Sequence, residues 1–436
     1  MNEKLLLVNA PWRTIDRAGV RAGSRWPFTM AMQPSQDRMG YAPYPFFMAY
    51  ATAVCEKKDI DVKMVDAIAE FQSPMTFQLN VAKYEPTHIM IETSTPSIGM
   101  DLAWASTLKK ATGAKIILTG NHATTFNKEL IDLDYVDRIL LGEYDLSLAS
   151  SMEFEDDNII KEIIAPQPVE NLDDLPYPAW SHTPMDRYYD ATSQLEQPVL
   201  NVMASRGCTH ACSFCLWPQT MYDREAHWRS RSPEKVVEEI YDARMQYKDM
   251  FKGVFFEDDT WGAEADWAWE FVNEYDTPDA LPFCILTRAD IMDYDLLKDL
   301  HRVGLKTFRF GVESGCQKIV DNIGKGLDLA CVKQTIDNCN EIGINTEFSI
   351  CYGFPGETKE TVAQTQEFIK KLKPTSLVQA LATPYPGTRF FDELDRKGMI
   401  ETKDWEDYDG FFTATFRSEG LSKAELEGLF RRMTRQ

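Results

Sequence analysis

Cys208-Thr-His-Ala-Cys212-Ser-Phe-Cys215 is the stretch on which the reading of this chain turns. Three cysteines stand at C-x3-C-x2-C spacing, directly after an apolar run, 199–204, of the kind that forms a buried strand. Thiolates so close in sequence can wrap one cluster and no more. Four cysteines are the usual complement of a 4Fe-4S cluster. A triad leaves one iron without a protein ligand and open to a small molecule, which points to chemistry rather than simple electron transfer. A structural zinc site would want a fourth ligand, which His210 or His227 could supply. His210, however, lies inside the cysteine loop and is expected to face away. A disulfide suits neither the odd number nor a reducing compartment.

The chain has 436 residues, 44% of them hydrophobic, enough for two or three domains with a sizeable core. No apolar run approaches the roughly eighteen residues of a membrane span. The first residues run straight into a strand pattern, so no signal peptide is read and a cytoplasmic location is expected. A net charge of -22 disfavours nucleic acid and anionic membranes as partners. Cys55, Cys284, Cys316, Cys331, Cys339 and Cys351 have no ligand spacing and read as small core residues. So many free thiols fit a reducing, anaerobic setting.

Upstream of the cysteines, apolar runs at 4–9, 62–66, 88–92, 115–119 and 138–141 alternate with helical stretches such as 46–57 and 100–110. That rhythm predicts a five-stranded parallel sheet with helices on both faces. Ligands of such sheets sit beyond the C-terminal strand ends. The third strand runs out into Thr93, Ser94 and Thr95, the fourth into Gly120, Asn121 and His122, and the fifth into Gly142 and Glu143. Small hydroxyl and glycine residues permit close backbone approach and hydrogen bonds to a polar ligand tail. His122 would serve equally as a turn residue bonded only to its neighbours. There is no G-x-G-x-x-G, which disfavours a dinucleotide. Residues 153–197 open with a charged turn and then carry two prolines in Asn171-Leu-Asp-Asp-Leu-Pro-Tyr-Pro-Ala-Trp180, the pattern of a structural linker.

From Pro198 the alternation resumes, with strands expected at 199–204, 253–257, 282–286, 307–311, 347–352 and 377–382 and helices such as 233–247, 293–302 and 359–371 between them. Six units fall short of the eight in a closed barrel, whose chemistry sits at the C-terminal strand ends. There, Glu257 and Asp258 can receive an ammonium group, and Arg288 or Arg309 can pair a carboxylate. Glu313 and Ser314 follow the fourth strand. Tyr222 and Tyr385 are candidates for ordering a substrate or relaying a proton, or else for packing at the rim. Trp217 and Pro218, just past the last cysteine, are expected to shield the cluster, with an ordinary core position the equal alternative for Trp217. An amphipathic helix at 422–433, opened by the capping box Ser422-Lys-Ala-Glu425, is expected in a segment closing the open side of the barrel.

The triad is followed by Phe255-Phe-Glu257-Asp-Asp259, Gly311-Val-Glu313-Ser314-Gly315, Gly353-Phe-Pro355-Gly356-Glu357-Thr358 and Thr383-Pro-Tyr385-Pro-Gly-Thr388. In that order these segments resemble the radical S-adenosylmethionine (SAM) superfamily. The turns at Gly120 to His122 and Gly142-Glu143 resemble the cobalamin-binding domain that precedes many of its members, with Asn121 where glycine or proline is commoner. The resemblance spans nearly the whole chain. It implies an α/β protein: a doubly wound, Rossmann-like cobalamin-binding domain over 1–152, a linker over 153–197, a partial (β/α)6 barrel over 198–388 and a C-terminal capping segment over 389–436. It further implies a 4Fe-4S cluster on Cys208, Cys212 and Cys215. SAM would be contacted by Glu257, Asp258, Arg288, Arg309, Glu313 and Ser314, and methylcobalamin by the strand-end residues from Thr93 to Glu143. No D-x-H-x-x-G follows the first strand, so no protein histidine is expected beneath cobalt.

The implied chemistry is C-methylation. The reduced cluster cleaves SAM to a 5′-deoxyadenosyl radical, which takes hydrogen from an unactivated carbon that then captures a methyl group from cobalamin. The chain looks similar to archaeal enzymes that methylate a peptide carbon, and the narrowest such reading is a glutamine of methyl-coenzyme M reductase. A ferredoxin or flavodoxin would be the electron donor. The alternatives are a cobalamin-dependent radical cyclase or oxidative rearrangement enzyme, and a cobalamin sensor that keeps the fold without catalysis.

Overall fold

The computed structural model describes residues 3–13, 17–21, 27–31, 41–153, 161–190, 193–222, 227–248 and 250–433. Its N-terminal half is built on six parallel strands: β1 (Lys4–Asn9), β2 (Asp61–Asp66), β3 (His88–Thr93), β4 (Lys115–Gly120), β5 (Arg138–Leu140) and β6 (Glu162–Ile164). They lie in the order β2-β1-β3-β4-β5-β6. The unbroken apolar run of β1 follows from burial on both faces. Leu5 and Leu7 pack with Phe47, Tyr50 and Val54 of the helix Phe46–Lys57. Leu6 and Val8 point the other way, towards Trp104 and Leu108 of the helix Ile98–Thr112.

Five strands were expected and the sixth comes from the supposed linker. Its charged turn falls mostly outside the described residues, but Glu162–Ile164 adds to the sheet edge beside β5. Tyr189–Asp190 pairs antiparallel with Tyr41–Ala42. A three-residue strand with mixed burial carries too little hydrophobic signal to be read from sequence.

The second half forms an open sheet of six parallel strands in chain order: β7 (Val199–Val202), β8 (Gly253–Phe256), β9 (Phe283–Thr287), β10 (Leu305–Glu313), β11 (Asn345–Tyr352) and β12 (Ser376–Leu381). The returning helices start on side-chain caps. Ser232 Oγ accepts from Lys235 N (3.3 Å), Asp293 Oδ1 from Leu296 N (2.9 Å) and Thr358 Oγ1 from Thr361 N (3.4 Å). The C-terminal helix Lys423–Met433 packs on β12, and its capping box forms as expected, with Glu425 Oε2 accepting from Ser422 N (3.0 Å) and Oγ (2.8 Å).

The two sheets meet through their C-terminal strand ends. Arg206, between β7 and the first cysteine, donates to Glu143 Oε1 (2.6 Å) and to both oxygens of Asp145 (2.8 and 3.0 Å), just beyond β5. Arg229 holds the other oxygen of Glu143 at 2.7 Å. Arg206, Glu143 and Asp145 are all buried. The Arg206 guanidinium also lies 4.7 Å from the ring centroid of Phe47 and 5.1 Å from that of Tyr50. Removing one partner of a buried ion network strands the other charges without solvent, which costs about 3–5 kcal/mol. Arg206→Met is therefore expected to destabilise the chain by that order in chemical denaturation. The triple variant carrying Glu143→Gln and Asp145→Asn as well should recover part of the loss.

Candidate active site

The cysteine loop leaves β7 through Gly207, whose φ is +89°. A Cβ there would lie 2.0 Å from the carbonyl oxygen of His227, so only glycine fits. Gln219 braces the loop from inside. Its Nε2 donates to the carbonyls of Cys212 (3.3 Å), Ser213 (3.2 Å) and Cys215 (2.6 Å), and its Oε1 accepts from Arg389 N (2.9 Å). Phe390 N adds a bond to Ser213 O (3.0 Å). Cys208 Sγ accepts from Thr260 Oγ1 (3.0 Å) and His210 N (3.4 Å). His210 pairs with Thr209 Oγ1 (3.0 Å) and His227 is exposed. Among the described residues no three His, Cys, Asp or Glu converge on a single metal position.

All three cysteines line one cavity of about 370 Å³. Its wall is made by the strand ends of the barrel. Glu257 and Asp259 follow β8, Arg288 follows β9, Arg309, Gly311 and Glu313 lie on β10, and Cys351 lies on β11. The mouth is aromatic and comes from elsewhere: Phe28 and Tyr41 from the N-terminal half and Phe411 from the C-terminal segment, with the Phe28 and Phe411 rings 4.7 Å apart. The donor set fits a cluster with one iron lacking a protein ligand, and the wall fits a polar, zwitterionic ligand beside it.

Not every residue singled out from the sequence reaches this cavity. Glu257, Arg288, Arg309 and Glu313 do. Asp258 points into the core, where its oxygens accept from Ser205 Oγ and Ala204 N. Its neighbour Asp259 takes the wall position and accepts from Gly207 N (3.0 Å). Ser314 is buried, bonds with Thr365 Oγ1 (3.0 Å), and accepts from Cys316 N (3.2 Å). Arg288 is held by Asp290 (2.9 and 2.7 Å), and Arg309 by Glu347 (2.6 Å) and the face of Phe255 (5.0 Å). Trp217 turns away from the cluster loop to pack on Phe47 (5.2 Å), whereas Pro218 does line the cavity. Tyr222 lies under Arg229 (5.8 Å) at the junction of the two halves. Tyr385 is fully buried, its hydroxyl pushed well above the ordinary phenol range by burial and by nearby Asp409 and Cys351.

The N-terminal strand-end residues are brought together but bond mostly to one another. Thr93 Oγ1 donates to Thr119 O (2.8 Å) and accepts from Ala123 N (3.0 Å). Ser94 bonds with Ser97 (2.7 Å), and Thr95 with His122 Nδ1 (3.2 Å). Asn121 Oδ1 accepts from Thr220 Oγ1 across the junction. The His122 ring lies at a tilt to Phe126 (4.6 Å) and edge-on to Trp405 (5.7 Å), and burial lowers its pKa to about 3. A Cβ on Gly120 would sit 2.4 Å from Thr93 O, and one on Gly142 3.0 Å from Met221 O, so both serve close packing. Glu143 is engaged by Arg206 and Arg229 rather than by open space.

Sequence reasoning did not pick out Asp259, Thr260, Gln219 or Lys325, and it placed Cys351 in the core. Asp259 alone carried a signal, being one residue past the acidic pair after β8.

Residues 202–369 match the family model described as Radical SAM superfamily. An uncharacterized methyltransferase, PH0819, of Pyrococcus horikoshii is 26% identical over 383 residues, covering 84% of this chain and 81% of that protein. An anaerobic magnesium-protoporphyrin IX monomethyl ester cyclase of Cereibacter sphaeroides is 27% identical over 410 residues, 88% of this chain and 65% of the cyclase. The fold is that of the cobalamin-dependent SAM radical enzyme OxsB, with a TM-score of 0.72 at 13% identity over 99% of this chain and 66% of that one. It is also that of the radical SAM methyltransferase TsrM of Kitasatospora setae with cobalamin and its 4Fe-4S cluster bound (0.67 at 16%, over 91% and 78%). Residues 202–369 of the barrel thus carry a Radical SAM domain, which implies a 4Fe-4S cluster and SAM.

One buried acid near this site has a measurable signature. Glu357, in the turn after β11, accepts from Gly353 N and Thr361 Oγ1 (3.4 Å), yet burial raises it to about 7. The folded chain binds this proton more tightly than the unfolded chain. The protonated carboxyl therefore contributes stability that is full below about 4.5 and lost as pH rises through about 7. Glu357→Gln should flatten the fall in stability between those values, read as the difference from wild type in denaturation midpoints across pH.

Proposed function

We propose that this chain is a cobalamin-dependent radical SAM C-methyltransferase acting on an unactivated sp3 carbon. The observation that carries this reading is the cavity shared by the three cysteines, the charged strand ends of the barrel and an aromatic mouth drawn from both flanking segments. The cluster and SAM supply hydrogen abstraction from carbon, and cobalamin supplies a methyl group. The chain's own residues orient and exclude. Asp259 and Glu257 suit an ammonium group and Arg288 and Arg309 an anion, while Phe28, Tyr41 and Phe411 shed water from the carbon end.

For cobalamin, the crevice where the N-terminal strand order reverses, between β1 and β3, carries suitable polar groups in Asn9, Ser94, Ser97 and Asp101. Arg21 fills it, bonding to Asn9 Oδ1 (3.0 and 3.2 Å), Ala10 O (2.6 Å) and Asp101. A polar tail enters there only by displacing that side chain.

As substrate we infer a peptide or protein residue, narrowest a glutamine of methyl-coenzyme M reductase, with a ferredoxin or flavodoxin as electron source; the likeness of the motifs to peptide-methylating archaeal enzymes supports this. The cyclase of Cereibacter sphaeroides, matched over most of the chain, supports ring formation on a small molecule as the second reading.

The two separate by products. Anaerobic reconstitution with iron, sulfide and methylcobalamin, followed by assay with candidate glutamine peptides, should give a methylated peptide with both 5′-deoxyadenosine and S-adenosylhomocysteine. Formation of 5′-deoxyadenosine without S-adenosylhomocysteine would turn the reading to cyclisation. Replacing Cys208, Cys212 and Cys215 together by alanine should abolish bound iron and both products.

A further inference from the structure

A second element is fastened to the cysteine loop, and the function proposed above gives it no task. The turn from Ile323 to Leu327 follows the short helix after β10. Ser213 N, between the second and third cysteines, donates to Ile323 O (2.9 Å). Gly324 and Gly326 both take left-handed backbone, with φ of +67° and +60°, and so fold the chain tightly around Lys325. The ring of His210 lies against Gly326. Arg288 pins the turn from the far side, its Nη1 donating to Lys325 O (2.9 Å) and its Nη2 to Gly326 O (3.3 Å).

This Gly-Lys-Gly turn delivers an ammonium group into the cavity. Lys325 is buried, lines the same wall as the three cysteines, and bonds to Glu313 Oε1 at 2.9 Å. Glu313 is aimed at it by a register shift in β10 and by a φ of +70°, a costly conformation for a residue with a side chain. Arg288 and Arg309, the other cations of the wall, are matched by Asp290 and Glu347. Among the charged neighbours of Cys212, Lys325 acts most strongly, ahead of Glu313.

We propose that Lys325 is a positioning residue for electron transfer, setting the reduction potential of the cluster held by Cys208, Cys212 and Cys215, with Glu313 trimming its effect. The inference rests on the cluster reading given above. Reduction adds one electron, from a low-potential one-electron donor, to a cluster in a water-poor wall. A buried positive charge beside a ligating thiolate stabilises the more negative, reduced form and makes the potential less negative. The neighbouring carboxylate opposes it.

The two variants must therefore shift the potential in opposite directions. The test uses the full chain, reconstituted anaerobically with iron and sulfide and without SAM, its iron and sulfide counted, and its midpoint read by EPR-monitored redox titration. Lys325→Met and Lys325→Gln should keep the cluster and move the midpoint to more negative potential. Lys325→Arg should stay near wild type, and Glu313→Gln should move it to less negative potential. An unchanged midpoint in a loaded Lys325→Met chain overturns the inference. So do shifts of one sign in both Lys325→Met and Glu313→Gln, which would report general loosening. Loss of iron in both Lys325 variants with unchanged thermal melting also overturns it, since the lysine would then hold the cluster rather than tune it. A wild-type chain that takes up no cluster fails the reading of the cysteines themselves.

Discussion

The buried contact of Arg206 with Glu143 and Asp145 is the constraint on which the rest of this molecule depends. It joins the segment just beyond β5 of one parallel sheet to the residue two positions before the first cysteine of the other. Both ends of the contact lie at C-terminal strand ends, where parallel sheets carry their chemistry. Once they are tied together, the two sets of strand ends have to face one another. Removing four charges from water is expensive unless each is matched, and here two guanidinium groups meet two carboxylates in a shared network. The same interaction fixes the direction in which the cysteine loop starts, since Gly207 leaves room for only one path past His227.

Downstream of that tie, the cavity divides its charges into two sets. Asp258, Glu143 and Ser314 satisfy buried partners and hold the frame. Glu257, Asp259, Arg288, Arg309, Glu313 and Lys325 face the open volume. Adjacent residues at a strand end point to opposite sides, so Asp258 and Asp259 could not both serve the same face. The apolar part of the site is supplied by segments remote in sequence. The Phe28 and Phe411 rings meet at a tilt across the mouth, although one belongs to the first half of the chain and the other to its last forty residues. The N-terminal and C-terminal segments thus close a cavity whose three cysteines lie between them in sequence.

Much of the fold was legible because parallel strands buried on both faces leave dense apolar runs. β1 and the helix Phe46–Lys57 have the bounds expected from their patterns, and the six barrel strands begin within two residues of theirs. The cysteine triad was legible because its members are close in sequence. Glu162–Ile164 was not, being short and half exposed at a sheet edge. Trp217 takes the core position rather than the one over the cysteine loop, because a large aromatic residue beside such a motif does not reveal which of two neighbouring cores it fills. Lys325 was passed over because its meaning lies in a turn more than a hundred residues from the cysteines, and its partner Glu313 reaches it only through a local shift in strand register.

The order of the motifs, the triad and the periodicity of the strands are properties of the sequence itself. They determined two α/β layers and a loop with three closely spaced cysteines, because hydrophobic spacing and cysteine spacing act over a few residues. Which carboxylate faces the cavity, which cation stands beside Cys212, and what covers the mouth were decided only in the folded chain. Those choices depend on the side of a strand end, on left-handed turns and on contacts between segments hundreds of residues apart, and burial sets their energies only after the two sheets have been brought edge to edge.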